Sequence, residues 1–231
     1  MIVLIEWRRV MARPYTRIFS TMTVDGRIAS RTGYSRLSCH EDFDLQHRVR
    51  AWADLVVVGS STALVDDPRL TVRRVPARTP LRGVVDSRLR VPPTARLYSI
   101  PGAVLITTAD HSGDALLPYA RKGARIVRAG RNRVDLVEAW RLLYDELGVR
   151  RVMVEGGGSL NYALLEAGLV DEVWITLAPY VFGAGRSVFE GPGFPGGSDT
   201  ARLRVLGVTP LCGGSWISVR YEVLWPRRPL Y

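Results

Sequence analysis

Lysine is almost missing from these 231 residues. Lys122 is the only one, so the 32 basic residues are otherwise arginine, and the formal net charge is +10. The arginines are scattered. No block of five or six like charges and no basic tail appears, which argues against a nucleic-acid-binding arm. Cysteine is nearly as scarce. Cys39 and Cys212 stand far apart and make neither a disulfide framework nor a CxxC metal pair, so they are expected to be buried or idle thiols. The three histidines, His40, His47 and His111, lack paired ligand spacing, and Cys39-His40-Glu41 is explained without a metal if Glu41 belongs to a helix cap. No metal site is expected. The zinc-deaminase pattern H-x-E…P-C-x-x-C and the G-x-S-x-G nucleophile elbow are both absent. No apolar run approaches the ~18 residues that span a bilayer. The opening MIVLIEWRRV is interrupted by Glu6 and is too short for a signal peptide, so the chain reads as a cytoplasmic protein without a membrane partner. Residues 1–10 read as an extension or an over-called start, and 11–231 as one domain.

What is present is a globular composition, 47% hydrophobic and 23% charged, arranged as short β-rich runs alternating with helical patterns. Strands are expected at 15–24, 55–59, 81–87, 102–108, 124–130 and 151–155. A helix is expected over 41–53, with Phe43, His47, Arg50 and Ala51 on one face and a Ser38/Glu41 capping box at its start. The clearest helix is 134–148, striped by Leu136, Trp140, Leu143 and Leu147 and stopped by Gly148. Another follows from Ser159. Beyond it, 171–183 reads as a long strand, and 201–208 and 215–225 alternate with period two, as half-buried antiparallel strands do. The fold class is therefore α/β: a mixed, mostly parallel sheet with helices on both faces and a C-terminal antiparallel hairpin.

Three strand ends carry polar or glycine-rich segments, and ligands of open α/β sheets bind beyond carboxyl ends of strands. In RVMVEGGGSLNYALLEAG (151–168), Gly156, Gly157 and Gly158 separate a strand from a helix. A turn alone needs one or two glycines. Three before a helix N-terminus favour a phosphate that must reach backbone N–H groups. The run is no Rossmann fingerprint, since Asn161 replaces the third glycine and no acidic residue follows at the right distance; nor is it a Walker motif. In VVVGSSTALVDDPRLTVRR (56–74), Asp66 follows Thr62 by one helical turn and precedes Asp67-Pro68, which fits either a cap with an Asp-Pro turn or a ligand site. In VVDSRLRVP (84–92), Asp86, Ser87 and Arg88 directly follow an apolar strand.

These segments, with MTVDGRIA (22–29) and SRLSCHEDF (35–43), resemble in this order the riboflavin-biosynthesis pyrimidine reductases, whose fold is that of dihydrofolate reductase. The similarity is strongest to the free-standing archaeal reductases of 2,5-diamino-6-ribosylamino-4(3H)-pyrimidinone 5′-phosphate. Ser61 departs from the V-G-x-G-T pattern frequent in that family. The resemblance implies NADPH as cofactor, with NADH as the alternative. It implies a cofactor site of Thr21, Thr62, Asp66, Ser87, Arg88, Gly130, Gly156, Gly157 and Gly158. The cation that would recognise a 2′-phosphate is Arg88, Arg128 or Arg131. The substrate, a phosphorylated ribosylaminopyrimidine, would meet Ser35, Arg50, Leu70, Arg73 and Glu155, besides Asp66. Arg50 and Arg73 would fork onto its phosphate, and Glu155 would accept from its amino groups. Asp66 is the expected proton-transfer residue, with a solvent proton as the alternative, and a homodimer built from strands 171–181 and 215–225 the expected assembly. Two other readings stay open: a reductase of a pterin or another small heterocycle, and a basic nucleic-acid-binding protein.

Overall fold

The computed structural model describes residues 12–196 and 200–225. The proposed extension 1–10 and the boundary at residue 11 lie outside the described residues. Eleven strands and five α-helices alternate as β1 (Tyr15–Thr23), β2 (Arg27–Ser30), α1 (His40–Trp52), β3 (Leu55–Gly59), α2 (Ser60–Asp66), β4 (Leu81–Val85), β5 (Ala103–Thr107), α3 (Gly113–Arg121), β6 (Arg125–Arg128), α4 (Leu136–Asp145), β7 (Arg151–Val154), α5 (Gly158–Glu166), β8 (Glu172–Ala178), β9 (Gly185–Ser187), β10 (Arg202–Leu211) and β11 (Trp216–Leu224). The main sheet has nine strands in the order β10-β11-β8-β1-β7-β3-β4-β5-β6, and β2 pairs with β9 in a separate ribbon.

From β8 to β6 every neighbouring pair is parallel, while β11 runs antiparallel to β8 and to β10. The central strands read as near-continuous apolar runs because both faces are covered. On one face Ala139, Trp140 and Leu143 of α4 and Leu160 and Leu164 of α5 pack on Ile18, Val57 and Val154. On the other, Val49 of α1, Ala63 of α2 and Leu116 and Tyr119 of α3 pack on Phe19, Val56, Val58 and Met153. Alternation along each strand feeds the two layers in turn.

Four expectations are corrected. The buried stripe of α1 is Asp42, His47, Val49 and Arg50, while Phe43 is exposed. Its start is not a capping box: Cys39 is the N-cap residue and no side chain caps the helix, because Glu41 Oε2 accepts from the distant Cys212 N–H at 2.8 Å. The cysteines are not idle thiols, since Cys39 and Cys212 form a disulfide across 173 residues. Finally, β10 is not half-buried. It is exposed along nearly its whole length, being the outer strand of the sheet, whereas β8 lies inside it between β11 and β1.

Candidate active site

The chain builds β3 to β6 outward and then returns to insert β7 between β3 and β1. The crevice at that reversal, beyond the carboxyl ends of β3 and β7, is where an open α/β sheet binds ligands. One part of it is made of backbone. Gly59 N–H donates to the Gly156 carbonyl at 2.8 Å, which ties the end of β3 to the turn after β7. The three glycines do different work. Gly156 takes φ +92°, which a side chain would strain. Gly158 is packed shut, since a Cβ there would lie 2.2 Å from the Ser187 carbonyl oxygen. Gly157 has ordinary φ and a single close neighbour: a Cβ there would meet Thr62 Oγ1, at 3.0 Å. Gly157 is also the N-cap residue of α5, whose N-terminus has no side-chain cap. A bare helix start facing a threonine hydroxyl, with room that one Cβ would fill, fits a phosphate group.

The second part is made of side chains on α1. Asp42, Gln46 and Arg50 follow one another at four-residue spacing, so they share a stripe facing the sheet. Arg50 Nε and Nη2 donate to Glu155 Oε1 and Oε2 at 2.5 and 2.6 Å, and Gln46 Nε2 donates to Oε2 at 3.0 Å. The third arm of Arg50 donates to the Thr71 carbonyl at 2.9 Å. Both side chains of the ion pair are nine-tenths buried. Burial works against the Arg50 charge, and Glu155 more than restores it, so its pKa lies above the ordinary arginine value. The structure thus joins two residues that the sequence assigns to opposite ends of a substrate. As it stands, Glu155 is engaged by Arg50 and Gln46 rather than turned toward a heterocycle.

Arg50, Pro68, Arg69, Leu70, Arg73 and Arg96 line a cleft of about 210 Å³. Leu70 sits in the left-handed region at φ +52° while fully buried, a conformation found mainly where function over-determines the backbone. It turns the chain so that Arg69 and Arg73 flank the opening. Desolvation, then the neighbouring Arg50, Arg69 and Arg96, lowers the Arg73 pKa; its Nη1 donates to Thr71 Oγ1 at 2.9 Å. His47 lies beneath. Its Nδ1 accepts the Arg73 N–H at 2.9 Å, and burial, followed by Arg50 and Arg73, pushes its pKa down to about 4. A cleft lined by four arginines, of whose guanidinium groups only Arg50's is paired with a carboxylate among the described residues, attracts a multiply charged anion.

The helix α2 connects the two parts. Its start adjoins the glycine cradle and its end adjoins the cleft. Asp67, in the left-handed region at φ +37°, closes α2, and its Oδ1 accepts from Arg96 N–H at 2.8 Å. The capping role that could have explained Asp66 therefore belongs to Asp67. Asp66 makes no hydrogen bond or ion pair among the described residues. Desolvation of its carboxyl raises its pKa, an effect that the exposure of the residue to solvent moderates.

The other expected residues divide. Thr21 donates to Asp42 Oδ2 at 2.6 Å and pairs with Ser38 at 3.0 Å. Ser35 is exposed in the loop before α1. Ser87 Oγ accepts from Val134 N–H at 3.0 Å, holding the loop that follows β6. Gly130 belongs to that loop's own packing: at φ +69°, a Cβ would lie 2.4 Å from the Arg133 carbonyl, and its N–H is bound by Glu138 at 2.7 Å. That is a packing glycine rather than a place for ligand approach. Arg128 is committed to the carbonyls of Ala109 and His111. Arg88 and Arg131 have no side-chain partner among the described residues. Sequence reasoning missed Arg90, whose Nη2 donates to Ser60 Oγ at 2.5 Å, as well as Arg69, Arg96, Gln46 and Asp42. For Gln46 the signal was present, four residues before Arg50 on one helix; the arginines were hidden among many others.

Comparison with known proteins agrees with this geometry. The family model described as the RibD C-terminal domain matches residues 14–216. The 2,5-diamino-6-ribosylamino-4(3H)-pyrimidinone 5′-phosphate reductase of Methanothermobacter thermautotrophicus is 40% identical over 84% of this chain and 91% of its own. The protein of the same name from Archaeoglobus fulgidus is 37% identical over 74% and 83%. Among solved structures, Acinetobacter baumannii RibD superposes with a TM-score of 0.79 at 26% identity, over 92% of this chain and 58% of that one, so the present chain spans little more than half of that protein. A pyrimidine reductase-like protein of Corynebacterium diphtheriae, 23% identical, shares the fold with a TM-score of 0.77 over 91% and 92% of the two chains. The chain, with its mostly parallel sheet, glycine cradle and arginine cleft, belongs to the RibD C-terminal domain family.

Proposed function

We propose that this chain, as one reductase domain over residues 11–231, reduces 2,5-diamino-6-ribosylamino-4(3H)-pyrimidinone 5′-phosphate to its ribitylamino product with NADPH. The observation that carries the reading is the arginine cleft set one short helix away from the glycine cradle. A phosphorylated sugar and a dinucleotide need two such sites side by side. Arg73, Arg69 and Arg96 would hold the sugar phosphate, with Arg50 held in place behind them by Glu155. Gly157, Thr62 and the bare start of α5 would hold the pyrophosphate. Arg88, next to Ser87 in the chain, and Arg90, which donates to Ser60 of α2, would favour a 2′-phosphate over NADH. When bound, the nicotinamide supplies the hydride that the C1′ carbon of the opened sugar receives.

The protein's own task is to orient that sugar and to manage its proton. Opening the ribosylamino ring to an imine breaks the bond between C1′ and the ring oxygen, leaves a proton on that oxygen and takes one from the exocyclic nitrogen, to which a proton returns when C1′ receives the hydride. Asp66 suits this because its carboxyl has no structural partner and stands at the cleft edge, where partial desolvation raises its affinity for a proton. The likeness of the two archaeal reductases supports the same substrate. An arginine-lined cleft speaks against an unphosphorylated pterin.

A homodimer in the cytoplasm completes the reading, with the interface moved from the expected 171–181 to the β10–β11 hairpin. Val205 and Val208 on β10 are 55% and 57% exposed, and Leu203 and Ile217 extend that apolar surface. An uncovered apolar edge strand is an aggregation liability, and a second copy covers it. The decisive experiment is NADPH oxidation with the ribosylaminopyrimidine phosphate. Turnover that falls when the 5′-phosphate is removed supports the assignment, and absence of turnover with tight NADPH binding overturns the substrate.

A further inference from the structure

We propose that Ser38 is a hydrogen-bond acceptor for an amino N–H of a bound ligand, its polarity set by the buried carboxylate Asp42 acting through Thr21. This rests on the reductase reading, and it supplies the reader of amino groups that Glu155, engaged by Arg50 and Gln46, does not provide. Thr21 lies near the carboxyl end of β1, on the same face as Phe19, the face that α1 covers. Asp42 stands in the first turn of α1 and is wholly buried.

The direction of the chain of hydrogen bonds follows from counting protons. A carboxylate accepts and never donates, so the single Thr21 hydroxyl proton goes to Asp42 Oδ2, at 2.6 Å. The 3.0 Å contact between Thr21 Oγ1 and Ser38 Oγ must then be made by the Ser38 proton. Ser38, half-buried, is left with lone pairs only. It presents an acceptor.

Two observations separate this from a structural hydrogen bond. Asp42 Oδ1 has no partner among the described residues, and a fully buried carboxylate with one oxygen unpartnered lowers stability. Ser38 is also released from the duty its position suggests, since α1 has no side-chain cap. Its place is nevertheless fixed from both sides. Trp216 Nε1 donates to the Leu37 carbonyl at 2.8 Å, and Cys39 is bonded to Cys212. A pinned serine whose proton points inward is a preorganised acceptor. The matching ligand group is a primary amine or amide N–H. It can come from the diaminopyrimidine or from the nicotinamide carboxamide.

The test uses Ser38→Ala, Thr21→Val and Asp42→Leu in the full chain. The dissociation constant for NADPH, KM for the substrate and the melting temperature are measured for each. In Asp42→Leu the Thr21 hydroxyl loses its acceptor, its proton turns to Ser38 Oγ, and Ser38 then offers a proton to a donor. Asp42→Leu should therefore weaken one ligand at least as much as Ser38→Ala, about tenfold, with Thr21→Val similar and Thr21→Ser recovering most of that loss. A raised KM with unchanged NADPH binding names the pyrimidine; the reverse names the carboxamide. Melting temperatures that fall while both constants stay put would make the relay structural and overturn the proposal. So would a Ser38→Ala effect that Asp42→Leu does not share. If Asp42→Leu fails to fold, Thr21→Val set against Thr21→Ser decides alone. Wild-type protein that binds NADPH but never oxidises it with this substrate would fail the substrate reading instead, and the NADPH arm would still report on the relay.

Discussion

The cradle at Gly157 and the cleft at Arg73 are built on opposite principles. The cradle consists of main chain: a bare helix start, a glycine set close against Thr62, and a strand-end glycine hydrogen-bonded across to Gly156. The cleft consists of long charged side chains that must be held apart from one another and from carboxylates. A backbone site depends on the shape of a few glycines rather than on which side chains surround it. A side-chain site depends on which charges are already neutralised, and here Arg50 is neutralised by Glu155 while Arg73 is not. The two arginines therefore carry the same charge in different surroundings.

That contrast is broken most severely at Arg50. Arg50→Ala removes one partner of a buried pair and leaves Glu155 charged and enclosed, which should cost about 3–5 kcal/mol of stability. Chemical denaturation would show it, and a variant as stable as wild type would mean that solvent reaches Glu155. Arg73→Ala should leave the denaturation midpoint nearly in place. It should instead lower kcat/KM for the phosphorylated substrate by about 2–4 kcal/mol, through loss of a charge-assisted contact, with NADPH affinity unmoved. Equal effects of the two substitutions on stability would erase the distinction between a structural and a ligand-facing arginine.

Asp66 lies between the two sites and tests whether their junction is chemical. With Asp67 closing α2, Asp66→Asn should keep the melting temperature, while kcat under saturating NADPH falls by roughly 10²-fold. A normal kcat would remove Asp66 from proton transfer.

The sequence disclosed the backbone site better than the side-chain one, for a physical reason. Glycine is informative wherever it stands, because missing Cβ atoms mean turns or close approach, and Gly156–Gly158 lie beyond the carboxyl end of β7, at the crevice beside β3. Arginine among 32 basic residues is not informative, and Arg69, Arg90 and Arg96 could not be told apart from solvated charges. Pairings are hidden too. Arg50 meets Glu155 across 105 residues, so each reads in the sequence as free to meet substrate. The same long-range effect undid the capping box, because Cys212 N–H, not the helix, holds Glu41. The strands were legible from their apolar runs, as at Leu55–Gly59 and Arg151–Val154. The helix α3 was missed because it starts at Gly113 and contains Pro118, although Ser112 Oγ does cap it, accepting from Ala115 N–H at 3.3 Å.

Within the cradle, Gly157 and Gly158 should separate cleanly. Gly157 has ordinary φ of −70°, so Gly157→Val should fold and raise the dissociation constant for NADPH at least tenfold, about 1.4 kcal/mol. Gly158→Ala should instead lose stability, because its Cβ runs into the Ser187 carbonyl. Unchanged NADPH affinity in a folded Gly157→Val protein would reduce the glycines to a turn.

The smallest effect belongs to His47, beneath the cleft. Its pKa falls from the ordinary 6.5 to about 4, chiefly by burial and then by Arg50 and Arg73, so in the folded protein it stays neutral and accepts the Arg73 N–H. The unfolded chain takes up the proton first, below about pH 6.5. Between there and about pH 4 it binds more protons than the folded state, so stability rises with pH across that window. The contribution of neutral His47 is complete above about pH 6.5, is lost progressively as pH falls, and levels off below about pH 4. At about pH 5.5 the loss should be roughly 1 kcal/mol. Carboxylates titrate at the lower end of the same range, so the measurement is a difference: denaturation midpoints against pH for wild type and His47→Gln. Glutamine can still accept the Arg73 N–H but cannot take the proton, and its curve should be flatter between pH values of about 6.5 and 4. Parallel curves would mean that His47 titrates normally, and that the cleft floor is open to water rather than sealed behind Arg50 and Glu155.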